Sequence, residues 1–133
     1  MRTPEDAGDV VPRRVLVVDD NNDSAESLAI QLRMMGHVVA TAHDGVEAID
    51  RAATFQPGVV LLDLGLPGLN GYQAMRRIRA GRTGVMIVAL TGWGNPEDLR
   101  RSAAAGFDAH LVKPVALAEV IKVLAEVGGT REP

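Results

Sequence analysis

Asp19, Asp20, Asp63, Thr91 and Lys113 are the residues whose types and positions could do chemistry together. Each closes a short apolar run. Val15-Leu16-Val17-Val18 leads into Asp19 and Asp20, Val59-Val60-Leu61-Leu62 into Asp63, residues 85–90 into Thr91, and residues 109–112 into Lys113. Short runs of branched apolar residues read as strands buried on both faces. Asp63 is followed by Leu64-Gly65-Leu66-Pro67-Gly68, where Gly and Pro dictate a loop. On this stretch alone Asp63 suits a turn or helix-cap carboxylate as well as a site residue, and the other strand ends decide. Parallel strands share one C-terminal edge, which is where open α/β sheets bind ligands. An acid–acid–hydroxyl–amine set at those tips therefore converges on a single site.

Carboxylates held together repel, and each raises the others' pKa. A bound hard cation removes the conflict. A ligand set of oxygens alone points to Mg2+, which keeps several waters and takes one or two carboxylates plus a phosphate. Lys113 counters the remaining charge, so the site calls for an anionic ligand beside the metal, and phosphoryl fits. A carboxylate can attack phosphorus to form an aspartyl phosphate. Mg2+ and Lys113 would neutralise the transferring group while Thr91 hydrogen-bonds one of its oxygens. Neither a P-loop pattern nor GxGxxG is present, so the phosphoryl donor comes from outside the chain.

The remaining sequence supplies the elements that must position these residues. Asn21-Asn22-Asp23-Ser24 caps a helix whose apolar stripe is Ala25, Leu28, Ala29, Leu32 and Met35, with Gly36 as its C′ residue. Met34 and Met35 read as core filling. Residues 37–42 form a less apolar edge strand, and Val46, Ile49 and Ala53 mark a short helix ahead of Pro57. Tyr72, Met75 and Ile78 give a third helix, with Arg76, Arg77 and Arg79 on solvated faces. The Ala-rich helix around residues 99–105 has a thin apolar stripe and is the least firmly anchored. Leu117, Val120, Ile121 and Leu124 mark the last helix, which Gly128-Gly129 closes. Five strands thus alternate with five helices. The connections suit only right-handed crossovers, so the expected fold is α/β, a parallel sheet with helices on both faces.

The 133 residues suit one domain, and 47% hydrophobic content supports a packed core. Aromatics are only 3%, so aliphatic residues and Met must fill it. A net charge of −3 argues against direct nucleic acid binding through bulk charge. There is no cysteine, which excludes disulfide and thiolate chemistry. No apolar run approaches a membrane span and residues 1–12 lack a signal-peptide core, so the expected location is cytoplasmic with no membrane insertion. Residues 1–12 read as a disordered leader or linker, 13–127 as the domain, and 128–133 as a flexible tail.

Over residues 13–127 the chain resembles receiver domains of two-component response regulators. The resemblance is carried by Val17-Val18-Asp19-Asp20, Leu61-Leu62-Asp63-Leu64 followed by Leu66-Pro67-Gly68-Leu69-Asn70-Gly71, Leu90-Thr91-Gly92 and Val112-Lys113-Pro114, in this order. It implies a flavodoxin-like (βα)5 fold with strand order 2-1-3-4-5. It implies phosphoryl transfer from a phosphohistidine of a histidine kinase or histidine phosphotransfer protein, in a chain that is not otherwise an enzyme. By position, Asp63 would be the phosphoacceptor, Asp19 and Asp20 would hold Mg2+ with Asp20 the direct ligand, and Gly65 would offer a backbone carbonyl. Thr91 and Lys113 would be the switch pair. The wording of residues 66–72, 90–94 and 113–115 resembles receivers attached to hybrid sensor kinases more than those of DNA-binding regulators.

Two features depart from the family pattern. His110 stands where many receivers carry a switching Tyr or Phe, and an edge-strand histidine with no switching role is as consistent with the sequence as a working imidazole switch. His37 and His43 read as surface or strand-edge residues. Gly65 and Trp93, two residues past Asp63 and Thr91, flank the family's path for the hydrolytic water, and neither offers a carboxylate or amide. Slow self-dephosphorylation, with Trp93 shielding the phosphoryl group, is the expectation. A Mg2+-dependent phosphatase with an aspartyl nucleophile is the alternative, although such enzymes usually carry a second acid where this chain has Gly65. A flavin-binding module of the same fold is disfavoured by the acidic strand tips. The expected assembly is a monomer or weak homodimer.

Overall fold

The computed structural model describes residues 12–66, 70–81, 84–92 and 96–130. Its elements are β1 (Arg14–Val18), α1 (Asn22–Met34), β2 (Val38–Ala42), α2 (Gly45–Phe55), β3 (Val59–Asp63), α3 (Gly71–Gly81), β4 (Met86–Thr91), α4 (Pro96–Ala105), β5 (Ala109–Val112) and α5 (Leu117–Thr130). The strands pair in parallel in the order β2-β1-β3-β4-β5, the expected flavodoxin-like topology. β3 is central and every one of its residues is buried, as is every residue of β4.

Side chains alternate across the sheet, so each strand feeds two cores. Val15, Val17, Val59, Leu61 and Val88 pack on one face against Ala25, Ala29 and Leu32 of α1 and Val120, Val123 and Leu124 of α5. Leu16, Val18, Val60, Leu62 and Ile87 pack on the other against Ala48 and Ala52 of α2 and Ala74, Met75 and Ile78 of α3. α4 contributes little to either, because Ser102 is its one buried side chain among the described residues.

The helix starts follow local chemistry. Asn21 accepts the Ser24 N–H at 2.9 Å and Asp44 accepts the Glu47 N–H at 2.8 Å. Asn70 and Gln73 cap each other's backbone at 3.0 and 3.1 Å, a reciprocal capping box. Gly36 adopts φ 101° after α1, the left-handed conformation its C′ position requires.

Some expectations change. Met34 is not core filling: it is 82% exposed, while Met35 packs against the core. α2 buries Gly45, Ala48 and Ala52, and Val46 and Ala53 face solvent. Its small residues let the helix sit close to the sheet, so the buried stripe is not the greasiest one. Ile121 is likewise largely exposed, with Val123 taking its place in the core. His37 is buried rather than on the surface, and its Nδ1 accepts the Arg13 N–H at 3.0 Å. Burial, then the nearby Arg13 charge, hold its pKa below the usual histidine range. α5 continues through Gly128 and Gly129 to Thr130, so two glycines alone do not stop an established helix. Except for Pro12, the expected leader falls outside the described residues, as do Pro67, Gly68, Leu69 and Trp93.

Gly71 joins the fold to the functional edge. A Cβ there would lie 2.8 Å from both the Asp63 carbonyl oxygen and the Leu64 Cα. Both are backbone atoms at the end of the central strand and cannot rotate away. Gly71→Ala is therefore expected to destabilise the domain by about 1–3 kcal/mol. Thermal unfolding should show a midpoint lowered by roughly 4–12 °C, and an unchanged midpoint would mean that α3 docks less tightly than this geometry requires.

Candidate functional site

The sheet register brings the expected residues to one edge. Val18 pairs with Leu62, so Asp19 and Asp63 follow side by side at the tips of β1 and β3. Thr91 ends β4 and pairs with Val112, which puts Lys113 immediately beyond β5. Backbone hydrogen bonds continue past the tips: Asp19 N–H to Ala42 O at 3.0 Å, Leu64 N–H to Leu90 O at 2.9 Å, and Lys113 N–H to Thr91 O at 2.8 Å. The functional side chains therefore hang from backbone that is still part of the ladder. They are better fixed than side chains on free loops.

One carboxylate oxygen from each of Asp19, Asp20 and Asp63 lies within 4.8 Å of the other two. Asp19 and Asp63 are 7% and 4% exposed, whereas Asp20 faces solvent. Each buried acid has one oxygen tied to nearby backbone. The Asn21 N–H donates to Asp19 Oδ1 at 3.0 Å and the Gly65 N–H to Asp63 Oδ1 at 2.9 Å. The other oxygens turn toward Lys113, whose Nζ is 2.7 Å from Asp63 Oδ2 and 3.9 Å from Asp19 Oδ2. The Asp19 carboxyl is pushed above the usual carboxylate range, chiefly by burial. The Asn21 N–H and Lys113 oppose that shift, and the charges of Asp63 and Asp20 add to it. This oxygen-only, charge-crowded set fits a hard divalent cation, and Asp20 leaves one side open to solvent.

A cavity of about 400 Å³ opens over Asp20, Asp63, Gly65, Thr91 and Lys113. Three further side chains line it without an expectation from sequence: Tyr72, Asp98 and Arg101. The only signal for them is positional. Tyr72 follows the tightly packed Gly71, and Asp98 and Arg101 share one face of the helix after Thr91 at i, i+3 spacing. A second, larger groove of about 850 Å³ runs beside the acids between α1 and the segment after β5, with Ser24, Ser27, Leu28 and Val115 on its walls. His110 sits half-buried on β5 opposite Ala89 and is not among the described residues lining the cavity.

Residues 15–125 match the response regulator receiver domain family. The transcriptional regulatory protein PrrA of Mycobacterium tuberculosis is 40% identical over 112 residues, which are 84% of this chain and 48% of the relative. The response regulator MprA of Mycobacterium avium is 38% identical over 108 residues, 81% of this chain and 47% of the relative. The chain thus spans about half the length of the curated relatives it matches. Among solved structures, the chemotaxis protein CheY4 of Vibrio cholerae superposes with a TM-score of 0.81 at 28% identity, covering 88% of this chain and 99% of that one. A CheY-like receiver domain protein from Methanospirillum hungatei gives 0.79 at 26% identity, covering 90% and 99%. The acids, the hydroxyl and the lysine at the sheet edge, together with these likenesses over nearly the whole fold, make the chain a member of the response regulator receiver domain family.

Proposed function

We propose that this receiver domain takes a phosphoryl group onto Asp63 from a phosphohistidine of a histidine kinase or phosphotransfer protein, and that the modification repositions α4. The observation that carries this reading is the 2.7 Å contact between Lys113 Nζ and Asp63 Oδ2 inside the acid cluster. Asp63 is thus in direct hydrogen-bonding contact with the ammonium, whereas Asp19 lies 3.9 Å from it.

In the transfer, a carboxylate oxygen of Asp63 attacks phosphorus, and the donor's P–N bond breaks with its electron pair returning to the imidazole nitrogen. Lys113 neutralises charge on the group in flight, and the Thr91 hydroxyl hydrogen-bonds one of its oxygens. Asp19, Asp20, Asp63 and the Gly65 carbonyl are the groups that would hold Mg2+, which supplies a counter-charge for the phosphoryl oxygens when bound. The groove along α1 lies beside Asp19 and Asp20, and a partner's histidine-bearing helix would lie there. Thr91 directly precedes the connection to α4, so drawing it toward a phosphoryl group pulls on the helix with the fewest buried side chains.

The family acts in two-component signalling, and a phosphatase is the weaker reading. Gly65 has no side chain that could protonate a leaving group or activate water. Two curated relatives are named as regulators of transcription or as response regulators, which lends no support to the hybrid-kinase likeness in the sequence. This chain's own charge of −3 gives nucleic acid nothing to hold, so such an output would belong to another domain.

Incubation with acetyl phosphate and Mg2+ should produce a retarded band on a phosphate-affinity gel, absent in Asp63→Asn. A band that survives this substitution would move the acceptor elsewhere. The phosphorylated form should persist for minutes rather than seconds, because Gly65 cannot orient a water molecule through a side chain. Gly65→Asn should shorten its lifetime, and rapid decay of the unaltered protein would contradict this account of hydrolysis.

A further inference from the structure

Acetyl phosphate and the phosphoryl group of a phosphohistidine are doubly charged anions at neutral pH, yet the cavity over Asp63 has three carboxylates in its lining. Asp20, Asp63 and Asp98 line it with Lys113, and Lys113 is already engaged with Asp63 at 2.7 Å. Lys113 and a bound Mg2+ would meet the donor only inside the acceptor cluster, and a cation at the cavity mouth would meet it earlier. Arg101 is that cation. It lines the same cavity from the α4 side, and its guanidinium carbon lies 5.6 Å from the centre of the Tyr72 ring. Tyr72 is in turn held edge-on against the buried Phe107, with ring centres 5.6 Å apart at 82°. The aromatic pair gives a long, exposed side chain a fixed resting place at the cavity mouth, at the distance where cation–π attraction operates. Arg100, its neighbour in sequence, is exposed and does not line the cavity.

We propose that Arg101, resting on Tyr72, is a donor-recruiting residue: it supplies the first counter-charge met by a dianionic phosphoryl donor on its way to Asp63. The inference deepens the reading of Asp63 as acceptor and rests on it. Arg101 is a positioning residue. It concentrates the donor, and Asp63 and Lys113 still carry out the transfer.

The test is the initial rate of labelling against acetyl phosphate concentration at saturating Mg2+. It is run for the unaltered chain, Arg101→Gln, Arg101→Lys, Arg100→Gln and Asp63→Asn. Arg101→Gln is expected to raise the half-saturating donor concentration about fivefold, as loss of a focusing charge does, with the maximal rate within about twofold. Arg101→Lys should retain most of the effect, and Arg100→Gln, which removes the same charge from the same helix, should behave as the unaltered chain. The defect should shrink at high salt, since the charge is exposed. It should also shrink with phosphoramidate, whose net charge is single. An unaltered half-saturation in Arg101→Gln, an equal change in Arg100→Gln, or a change confined to the maximal rate would overturn the inference while leaving Asp63 as acceptor. Failure of the unaltered chain to be labelled, or labelling that survives Asp63→Asn, would overturn both.

Discussion

Like-charge crowding at the C-terminal edge of the sheet is the constraint on which the site depends. β1 and β3 are adjacent and in register, so their terminal acids cannot avoid one another. Burial removes the water that would screen them, and the Asp19 carboxyl is pushed up accordingly. Lys113 answers part of this. It reaches Asp63 from beyond β5, across the whole width of β4. One ammonium against three carboxylates leaves a surplus of negative charge, and that surplus fits a divalent cation. On the proposed reading, such a cation and Lys113 together would make the same pocket attractive to a phosphoryl group, so that affinity for metal and for phosphate would share one electrostatic origin.

Rigidity is distributed to match. β3 and β4 are buried throughout, and the ladder continues beyond the strand tips, so Asp63 and Lys113 are held by the best-packed part of the molecule. At the opposite end, Arg79 bonds the Val85 and Gly106 carbonyls at 2.6 and 2.8 Å, and Asp108 accepts the Ile87 N–H at 2.8 Å. These contacts tie α3, β4 and the turn before β5 together. Between the two ends, α4 rests on Ser102, whose hydroxyl bonds Leu99 O within the helix itself. Elements with few buried contacts open at low free energy, so the helix beside the site is the one that can move at least cost.

The strand tips were legible in the sequence because chemistry and periodicity coincide there. An apolar run that ends in Asp, Thr or Lys announces both a buried strand and a polar tip, and parallel topology does the rest. The cap at Asn21 and the αL glycine at Gly36 were legible for a similar reason, since each residue type has one dominant use in its position. The buried side of α2 was not. Gly45, Ala48 and Ala52 carry almost no hydrophobic signal, and their burial is decided by how closely the helix approaches the sheet. The depth of His37 was hidden as well, because it depends on the Arg13 backbone reaching its ring across the sheet. Tyr72 and Arg101 could not be assigned to the site from sequence. They come from different helices, and their meeting at the cavity is a tertiary contact that no local pattern announces.

The most direct test of the central claim is the thermal midpoint of the purified domain as Mg2+ is raised at constant ionic strength. If the acids of β1 and β3 share one ion, the midpoint rises and saturates as expected for a ligand bound only by the folded state, and Asp20→Asn, which alters the exposed member of the cluster, weakens the response. A midpoint that Mg2+ moves no more than an equal ionic strength of sodium chloride would contradict the account.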